Sequence, residues 1–281
     1  MAPELAVQTL ETPLFMETPR GSLFAILHEP SGDARAPFVF CHPFAEEKLW
    51  THRVFVTFAR TLAAAGHPVL RFDYMGNGDS DGTFTESSLE SALADVRSGI
   101  DYVRARSGAS HVNLLGLRLG ATIASLVAES ATDVTDLVLW APIVDGARYM
   151  QELLRVNLST QMAVHKEIRH DREALVQQMQ DGRTVNVDGY EMALPMYSQV
   201  SAVKLAGSQR RHAGRCLIVN VDRQPERPSP ELQRLASQYG DATLVGAKEE
   251  PFWKEIPQFY QQAPNLFAIT LDWLQGANQA R

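Results

Sequence analysis

Cysteine is scarce in this sequence, which excludes a fold held together by disulfide bonds. The 281 residues contain two cysteines, Cys41 and Cys216, and both lie in apolar, strand-like runs. Small secreted scaffolds carry many more, so we expect two buried thiols in a reducing compartment. The amino-terminal stretch has no basic segment followed by a continuous apolar one, and no later run is long enough to cross a bilayer. We therefore expect a cytoplasmic protein without a membrane span.

Positive charge and metal-ligand patterns are also sparse. The 26 lysines and arginines are outnumbered by 33 acidic residues, giving a formal charge of −7, and no dense basic run offers a stripe for nucleic acid. The eight histidines lack the spacing of metal ligands, and the segment GNGDSDG lacks the Lys-Ser/Thr pair of a Walker motif. We expect a small-molecule ligand with no nucleic-acid partner, no metal and no cofactor. The sequence leaves a homodimer open.

What the sequence does contain is an alternation of strand-like and helical segments. Two short strands joined by TPRG are expected within residues 14–28, and buried strands then alternate with amphipathic helices over residues 38–141. This alternation predicts an α/β protein with a mostly parallel central sheet and helices on both faces. The pattern then turns helical and charged. We predict a core of residues 1–147 and 212–281, with a helical cap inserted at residues 148–211.

Three loops carry recognisable motifs. CHPFAEE follows one strand-like run, RFDYMGNGDSDG follows the next, and GLRLGA, residues 116–121, turns from a strand into a small-residue helix. These segments resemble the oxyanion-hole loop, the D-x-x-G-x-G-x-S loop and the nucleophile elbow of α/β-hydrolases. HPFAEEK, GLRLGA, DGYEM and EEPFWKE are more narrowly similar to the group called exosortase A system-associated hydrolase 2. The resemblance spans nearly the whole chain and implies the α/β-hydrolase fold.

The resemblance also implies a catalytic serine, then an acid, then a histidine, and this sequence departs from all three. At the elbow, Arg118 stands in place of the serine, between Gly116 and Gly120. The loop expected to supply the acid, VDRQPERPSPE, offers Gln224, with Asp222 two residues earlier. A glutamine cannot hold an imidazolium by charge. Conventional triad chemistry is therefore not expected.

The loop after the last strand, expected to supply the histidine, also departs from the pattern. It has the sequence VGAKEEPFW, with Glu249 and Glu250 near the expected place, and no histidine follows His212. An arginine at the amino terminus of a helix favours the binding of an anion beside it. A nearby glutamate can neutralise the buried charge of the arginine. We predict that Arg118 pairs with a glutamate of the last loop, or binds the carboxylate, phosphate or oxyanion of a ligand that displaces it.

Further candidate residues lie in the loops around Arg118. Backbone N–H groups of Phe44 and Leu119 are the predicted oxyanion-hole donors. His42 is either a proton donor and acceptor or a structural anchor of its loop. Glu47 and its neighbour either form a solvated face or reach Arg118 from the opposite wall. The candidate substrate contacts are Glu46, Gln224 and Trp253.

The first functional hypothesis is an enzyme without a serine acyl-enzyme intermediate. It would act on an acyl, ester, thioester or carboxylate-bearing small molecule, by hydrolysis or by lyase- or cyclase-type chemistry. Arg118 would bind or polarise the substrate while Glu250, Glu249 or His42 moves a proton. This hypothesis requires Arg118 for activity.

Two other hypotheses compete with it. In the first, the chain is a catalytically inactive relative that binds a ligand or scaffolds a biosynthetic pathway. In the second, Cys41 or Ser80 replaces the missing nucleophile. The second is the less favoured, because Cys41 and His42 are adjacent on a strand and point to opposite faces. Ser80 belongs to the glycine-rich loop pattern itself.

Overall fold

Strands and helices alternate along the chain as the apolar pattern predicts. The computed structural model describes residues 9–207, 212–256 and 259–279, with side chains described as far as residue 276. The strands of this part of the chain are β1 Leu10–Thr18, β2 Gly21–Glu29, β3 Phe38–Cys41, β4 Val69–Phe72, β5 Val112–Leu117, β6 Val134–Trp140, β7 Val185–Val187, β8 Tyr190–Met192, β9 Arg215–Asp222 and β10 Ala242–Lys248.

Capping residues define the helix ends. Ser88 accepts a hydrogen bond from the backbone of Ser91 at the start of one long helix, which ends at Gly108 in the left-handed conformation. Asp145 caps another helix by accepting from the Arg148 backbone. The helices are α1 Glu46–Ala64, α2 Leu89–Ser107, α3 Leu119–Ala128, α4 Gly146–His165, α5 Arg172–Gln180, α6 Leu194–Ser201, α7 Pro230–Ala236 and α8 Pro264–Gln279.

The central sheet has the strand order β1-β2-β4-β3-β5-β6-β9-β10. β1 pairs antiparallel with β2, β2 pairs antiparallel with β4, and all the remaining pairs are parallel. The mostly parallel sheet implied by the resemblance is therefore confirmed. Because parallel strands end at one edge, the loops after β3, β5, β6, β9 and β10 meet there.

Side-chain alternation along the strands builds two cores, one on each face of the sheet. In β3, Phe38 and Phe40 pack into a cluster that includes Phe58 of α1 and Phe267 of α8. The alternate β3 residues pack into the other cluster, together with residues of α2 and α3. Each face of the sheet is covered by helices, as predicted. The central strands β3 and β5 are buried on both sides, which accounts for their continuous apolar sequences.

The insertion between β6 and β9 contains α4, α5, the β7–β8 hairpin and α6. Asp188 and Gly189 form the hairpin turn with positive φ angles of 49° and 87°, as the Asp-Gly pair in the sequence predicts. The helical part begins at Gly146, and a Cβ atom there would lie 1.8 Å from the Val200 carbonyl oxygen of α6. Glycine therefore allows α4 and α6 to pack closely.

Candidate active site

The turn between β5 and α3 has a strained backbone conformation. Arg118 has φ 55° and ψ −122°, and its N–H donates to the Trp140 carbonyl at 3.0 Å. A Cβ atom on Gly116 would lie 2.3 Å from the Gly120 carbonyl oxygen, and one on Gly120 would lie 2.1 Å from the Cys41 carbonyl oxygen. Only glycine fits at either place. The elbow geometry is therefore present with arginine at its apex.

The Arg118 side chain is held on several sides. Its Nε donates to Glu47 Oε1 at 3.1 Å, and the Tyr149 hydroxyl donates to Glu47 Oε2 at 3.0 Å. The guanidinium carbon lies 5.5 Å from the ring centroid of Tyr149 and 5.0 Å from that of Trp253. These distances are within cation–π range. The elbow, α1, α4 and the loop after β10 each contribute one of these four side chains.

Burial shapes the electrostatics of this pair. The side chains of Arg118 and Glu47 are 14% and 13% exposed. Burial raises the pKa of Glu47 above its usual range, although Arg118 and Tyr149 act in the opposite direction. Burial alone would lower the pKa of the Arg118 guanidinium. The attraction of Glu47 and Tyr149 outweighs burial, so the pKa is raised. The site holds a fixed cation beside a carboxyl group that accepts a proton more readily than usual.

The predicted pairing of Arg118 with a glutamate of the last loop is wrong. The Glu249 carboxylate accepts a hydrogen bond from the Asn265 backbone at 2.8 Å, in the first turn of α8. Glu250 forms an ion pair with Arg223 at 2.6 Å. Free N–H groups at a helix start and an adjacent cation satisfy these two carboxylates locally, so neither reaches the elbow. The alternative partner, Glu47, occupies that place.

His42 is engaged as a structural anchor. Its Nδ1 lies 2.7 Å from the Pro43 carbonyl oxygen, and its Nε2 accepts from the Tyr74 backbone at 3.4 Å. Burial lowers the pKa of His42 to about 3, so the ring is neutral at physiological pH. The contacts occupy both ring nitrogens, which leaves the ring without a free nitrogen for proton transfer. The proton-transfer role predicted for His42 is not supported by this geometry.

The loop after β3 leads directly into α1. Phe44 is buried, and Ala45 after it has φ 49° and ψ −130°, nearly the same strained conformation as Arg118. Leu119 is the first residue of α3, so its N–H lies outside the helical hydrogen-bond ladder. The oxyanion-hole roles of Phe44 and Leu119 stay predictions.

Two cavities adjoin Arg118. One, of about 780 Å³, is also lined by Glu46, Glu47, Tyr149 and Trp253. Burial, followed by a hydrogen bond with Asp188, raises the pKa of Glu46. The second, of about 210 Å³, lies toward the ends of β6 and β9 and is also lined by Tyr149 and Trp253.

The remaining candidates lie outside these cavities. Gln224 is exposed, and its backbone N–H donates to Asp222 at 2.8 Å, so this turn does not bring it to Arg118. Burial raises the pKa of the Cys41 thiol to about 12. Ser80 Oγ donates to the Asp73 carbonyl at 2.6 Å and holds the glycine-rich loop. These contacts do not favour Cys41 or Ser80 as a nucleophile.

Tyr149 is the site residue that sequence analysis missed. It lies in the first turn of α4, which follows the β6 carboxyl end. An aromatic residue placed this soon after a parallel strand is near the sheet edge where the loops meet. That position is the signal that could have identified it.

More than half of the chain matches a known protein family. A family model described as serine aminopeptidase, S33, matches residues 32–192. Human protein ABHD12B is 34% identical over 114 residues, covering 39% of this chain and 30% of the relative. The lysophosphatidylserine lipase ABHD12 of Xenopus tropicalis is 32% identical over 108 residues, covering 37% of this chain and 27% of that relative. The aligned region is thus less than a third of either relative.

A solved structure matches over a much larger part of the chain. Est1E from Butyrivibrio proteoclasticus with bound ferulic acid superposes with a TM-score of 0.64 and 16% identity, covering 93% of this chain and 99% of that chain. At this identity the similarity concerns the fold alone. Within the residues that the structure describes, no helix is long and apolar enough to cross a membrane.

Proposed function

This chain belongs to the serine aminopeptidase S33 family and has the α/β-hydrolase fold. We propose that it is an enzyme that works without a serine acyl-enzyme intermediate. Its substrate is an ester, a thioester or another acyl or carboxylate-bearing small molecule. The observation that carries this proposal is the position of Arg118 at the elbow, paired with Glu47 and adjoining two cavities. The lipase activity in the name of one relative agrees with ester chemistry.

Arg118 is the anion-binding group of the proposed site. Its hydrogen bond to a described residue uses Nε, so the two terminal guanidinium nitrogens are available to a ligand oxygen. The rings of Tyr149 and Trp253 fix the orientation of the guanidinium, so little side-chain freedom is lost on binding. Ferulic acid, the ligand in the Est1E structure, carries a carboxylate of the kind proposed.

Glu47 takes over the proton-accepting role that the sequence suggested for Glu249 or Glu250. Its raised pKa brings it closer to the range in which a general base works best. In the proposed hydrolysis, Glu47 accepts a proton from water while the water oxygen bonds to the acyl carbon. The backbone N–H groups of Phe44 and Leu119 receive the oxyanion. The acyl–oxygen or acyl–sulfur bond then breaks, and the leaving group takes the proton from Glu47.

The insertion is proposed as the cap of this site, over residues 148–211. Tyr149 contacts both the carboxylate and the guanidinium, so α4 is tied to the reacting groups. Residues of α4 further along, Arg155 and Ala163 among them, line the larger cavity. A substrate must therefore pass against the insertion, which is the part of the chain best placed to select it.

A second candidate function is ligand binding without turnover. It is favoured by the Arg118–Glu47 pair itself, since an internal carboxylate already neutralises the cation. In this case the ligand competes with Glu47 for Arg118, and the chain serves as a binding or scaffolding protein. The narrower resemblance to the exosortase-associated group stays a prediction that agrees with either function.

The experiment compares wild type with Arg118→Gln, Glu47→Gln and, as a control, Arg53→Gln, at an exposed arginine on α1 outside both cavities. Hydrolysis of p-nitrophenyl esters and acyl thioesters of increasing chain length is followed with kcat and KM separated. We expect Arg118→Gln to raise KM and Glu47→Gln to lower kcat about 100-fold or more, whereas Arg53→Gln should keep the kcat and KM of wild type. A fluorophosphonate probe should leave wild type unlabelled.

The outcomes separate the two functions. Unchanged rates in both Arg118→Gln and Glu47→Gln, or stoichiometric fluorophosphonate labelling with loss of activity, would overturn the proposed mechanism. Saturable binding of carboxylic acids that depends on Arg118, with no product from any ester or thioester, would favour the binding function.

A further inference from the structure

A separate cavity of about 440 Å³ lies between α1 and the edge of the sheet formed by β2 and β4. It does not include Arg118 or Glu47, and the proposed reaction makes no use of it. We call it the Arg71 cavity. Six of the side chains that line it are Phe24, Ile26, Lys48, His52, Arg71 and Phe84.

Arg71 is unusual because its charge has no direct counter-ion among the residues that the structure describes. In β4 it alternates with Leu70 and Phe72, so it points toward the α1 face of the sheet, and its side chain is largely buried. Its Nε donates to His28 Nε2 at 3.0 Å. Burial lowers the pKa of His28 to about 4, so this acceptor is neutral. Within the described ranges, no carboxylate lies within ion-pair distance of Arg71.

Carboxylates near Arg71 are bound to other cations. Asp73 forms an ion pair with Lys48 at 2.5 Å, and Glu11 pairs with Arg60. Glu11 and Asp73 act on Arg71 only through longer-range attraction. Burial remains the dominant influence and lowers the pKa of Arg71 to about 10. A largely buried cation of this kind gains most from an anion brought by a ligand.

Charge and shape around Arg71 define the ligand further. Lys48 and His52 also face the cavity, whereas the carboxylates facing it are Asp73, already paired, and Asp79, which is exposed. The rest of the lining is mainly aromatic and aliphatic. A volume of about 440 Å³ lies within the ordinary range for small-molecule pockets. The cavity has one cationic end and an apolar body.

We propose that the Arg71 cavity binds a small organic carboxylate with an aromatic or branched apolar body. The carboxylate accepts hydrogen bonds from the terminal nitrogens of Arg71, which make none with the described residues, and the apolar body packs against Phe24 and Phe84. The site is distinct from the one at Arg118 and does not depend on the function proposed for it.

Isothermal titration with phenylacetate, phenylpropionate and phenylacetamide tests this site. We expect the carboxylates to bind, and the neutral amide to bind at least tenfold more weakly. Arg71→Gln should weaken phenylacetate binding at least tenfold, whereas Arg53→Gln, an exposed arginine on α1, should leave it unchanged. Arg118→Gln should also retain this binding. The titrations of the Arg71 and Arg53 variants are repeated in the Arg118→Gln background, so that a carboxylate bound at Arg118 is not counted and the failure of one site can be told from the failure of the other.

A second variant covers the case in which Arg71→Gln does not fold. Leu49 lines the cavity and is 60% exposed, so Leu49→Glu adds a negative charge at the opening without disturbing the core. It should weaken carboxylate binding, and Leu10→Glu, at a 62% exposed leucine elsewhere, should not. No carboxylate binding to wild type, equal binding of the amide, or unchanged binding in Leu49→Glu overturns the proposal.

Discussion

The substitution Glu47→Gln tests how much the ion pair between Arg118 and Glu47 contributes to the stability of the fold. The Glu47 carboxylate is buried and accepts hydrogen bonds from Arg118 at 3.1 Å and from Tyr149 at 3.0 Å. Removing one partner of a buried ion pair costs about 3–5 kcal/mol when the remaining charge is left without compensation. If the pair serves mainly as a clamp, Glu47→Gln should lower the free energy of unfolding by about that amount.

We expect Glu47→Gln to change the free energy of unfolding much less than this, because burial raises the pKa of Glu47 even with Arg118 adjacent. A raised pKa means that the folded protein holds this proton more tightly than the unfolded chain does. The stability that this proton contributes is fully present below the pKa of Glu47 in the unfolded chain. It is lost as pH rises through the pKa of Glu47 in the folded protein. The glutamine amide is neutral, like a protonated carboxyl group, and its oxygen can still accept a hydrogen bond from Arg118. At pH 7 the free energy of unfolding of Glu47→Gln should be within about 1 kcal/mol of the wild-type value, or higher than it.

The assay is urea unfolding of wild type, Glu47→Gln and Glu152→Gln across pH 4.5 to 8. Glu152 is an exposed carboxylate in the same cavity and provides the matched control. The stability of wild type relative to Glu47→Gln should fall as pH rises above the ordinary glutamate range, and the control should follow wild type. A loss of about 3 kcal/mol or more in Glu47→Gln at pH 7 would refute this reasoning, because the buried charge of Arg118 would then require the negative charge of Glu47.

Three further predictions concern the frame of the site. Gly120→Ala places a methyl group 2.1 Å from the Cys41 carbonyl oxygen, so it should destabilise by about 3 kcal/mol or more in thermal unfolding. Gly240→Ala, with open space around it, should have little effect. The ring protons of His42, whose pKa is about 3, should show no NMR titration between pH 5 and 8, and a midpoint near 6.5 would contradict its burial. The Cys41 thiol, with its pKa raised to about 12, should react with iodoacetamide only after unfolding.

Most of the fold follows from patterns that act over short distances. Strands of the parallel sheet are continuous apolar runs, such as Val112–Leu117, because both of their faces are buried. The Asp188-Gly189 pair specifies the small hairpin through its two positive φ angles. Gly116 and Gly120 mark the elbow because no other residue fits there. Each of these features is marked by residues close together in sequence, although the contact that requires glycine at position 120 is with Cys41.

The partner of Arg118 was harder to predict, because it depends on contacts between distant segments. Glu47 and Glu250 are both glutamates in loops at the same sheet edge, and sequence spacing does not tell which one faces the elbow. The choice depends on Arg223, which lies on the neighbouring β9 loop and pairs with Glu250. Tyr149 was missed for a similar reason, since its orientation follows from how α4 packs.

The contact between Gly120 and the Cys41 carbonyl has a mechanical consequence. A methyl group does not fit between them, so the elbow and the loop after β3 cannot slide past one another and behave as one rigid floor. Tyr149 and Trp253 come from segments outside this floor, so the contact between Gly120 and Cys41 does not fix their positions. Ligands of different size must therefore be accommodated by α4 and the loop after β10. Substitutions in those two walls should change which molecules enter, while the backbone of Arg118 keeps its position.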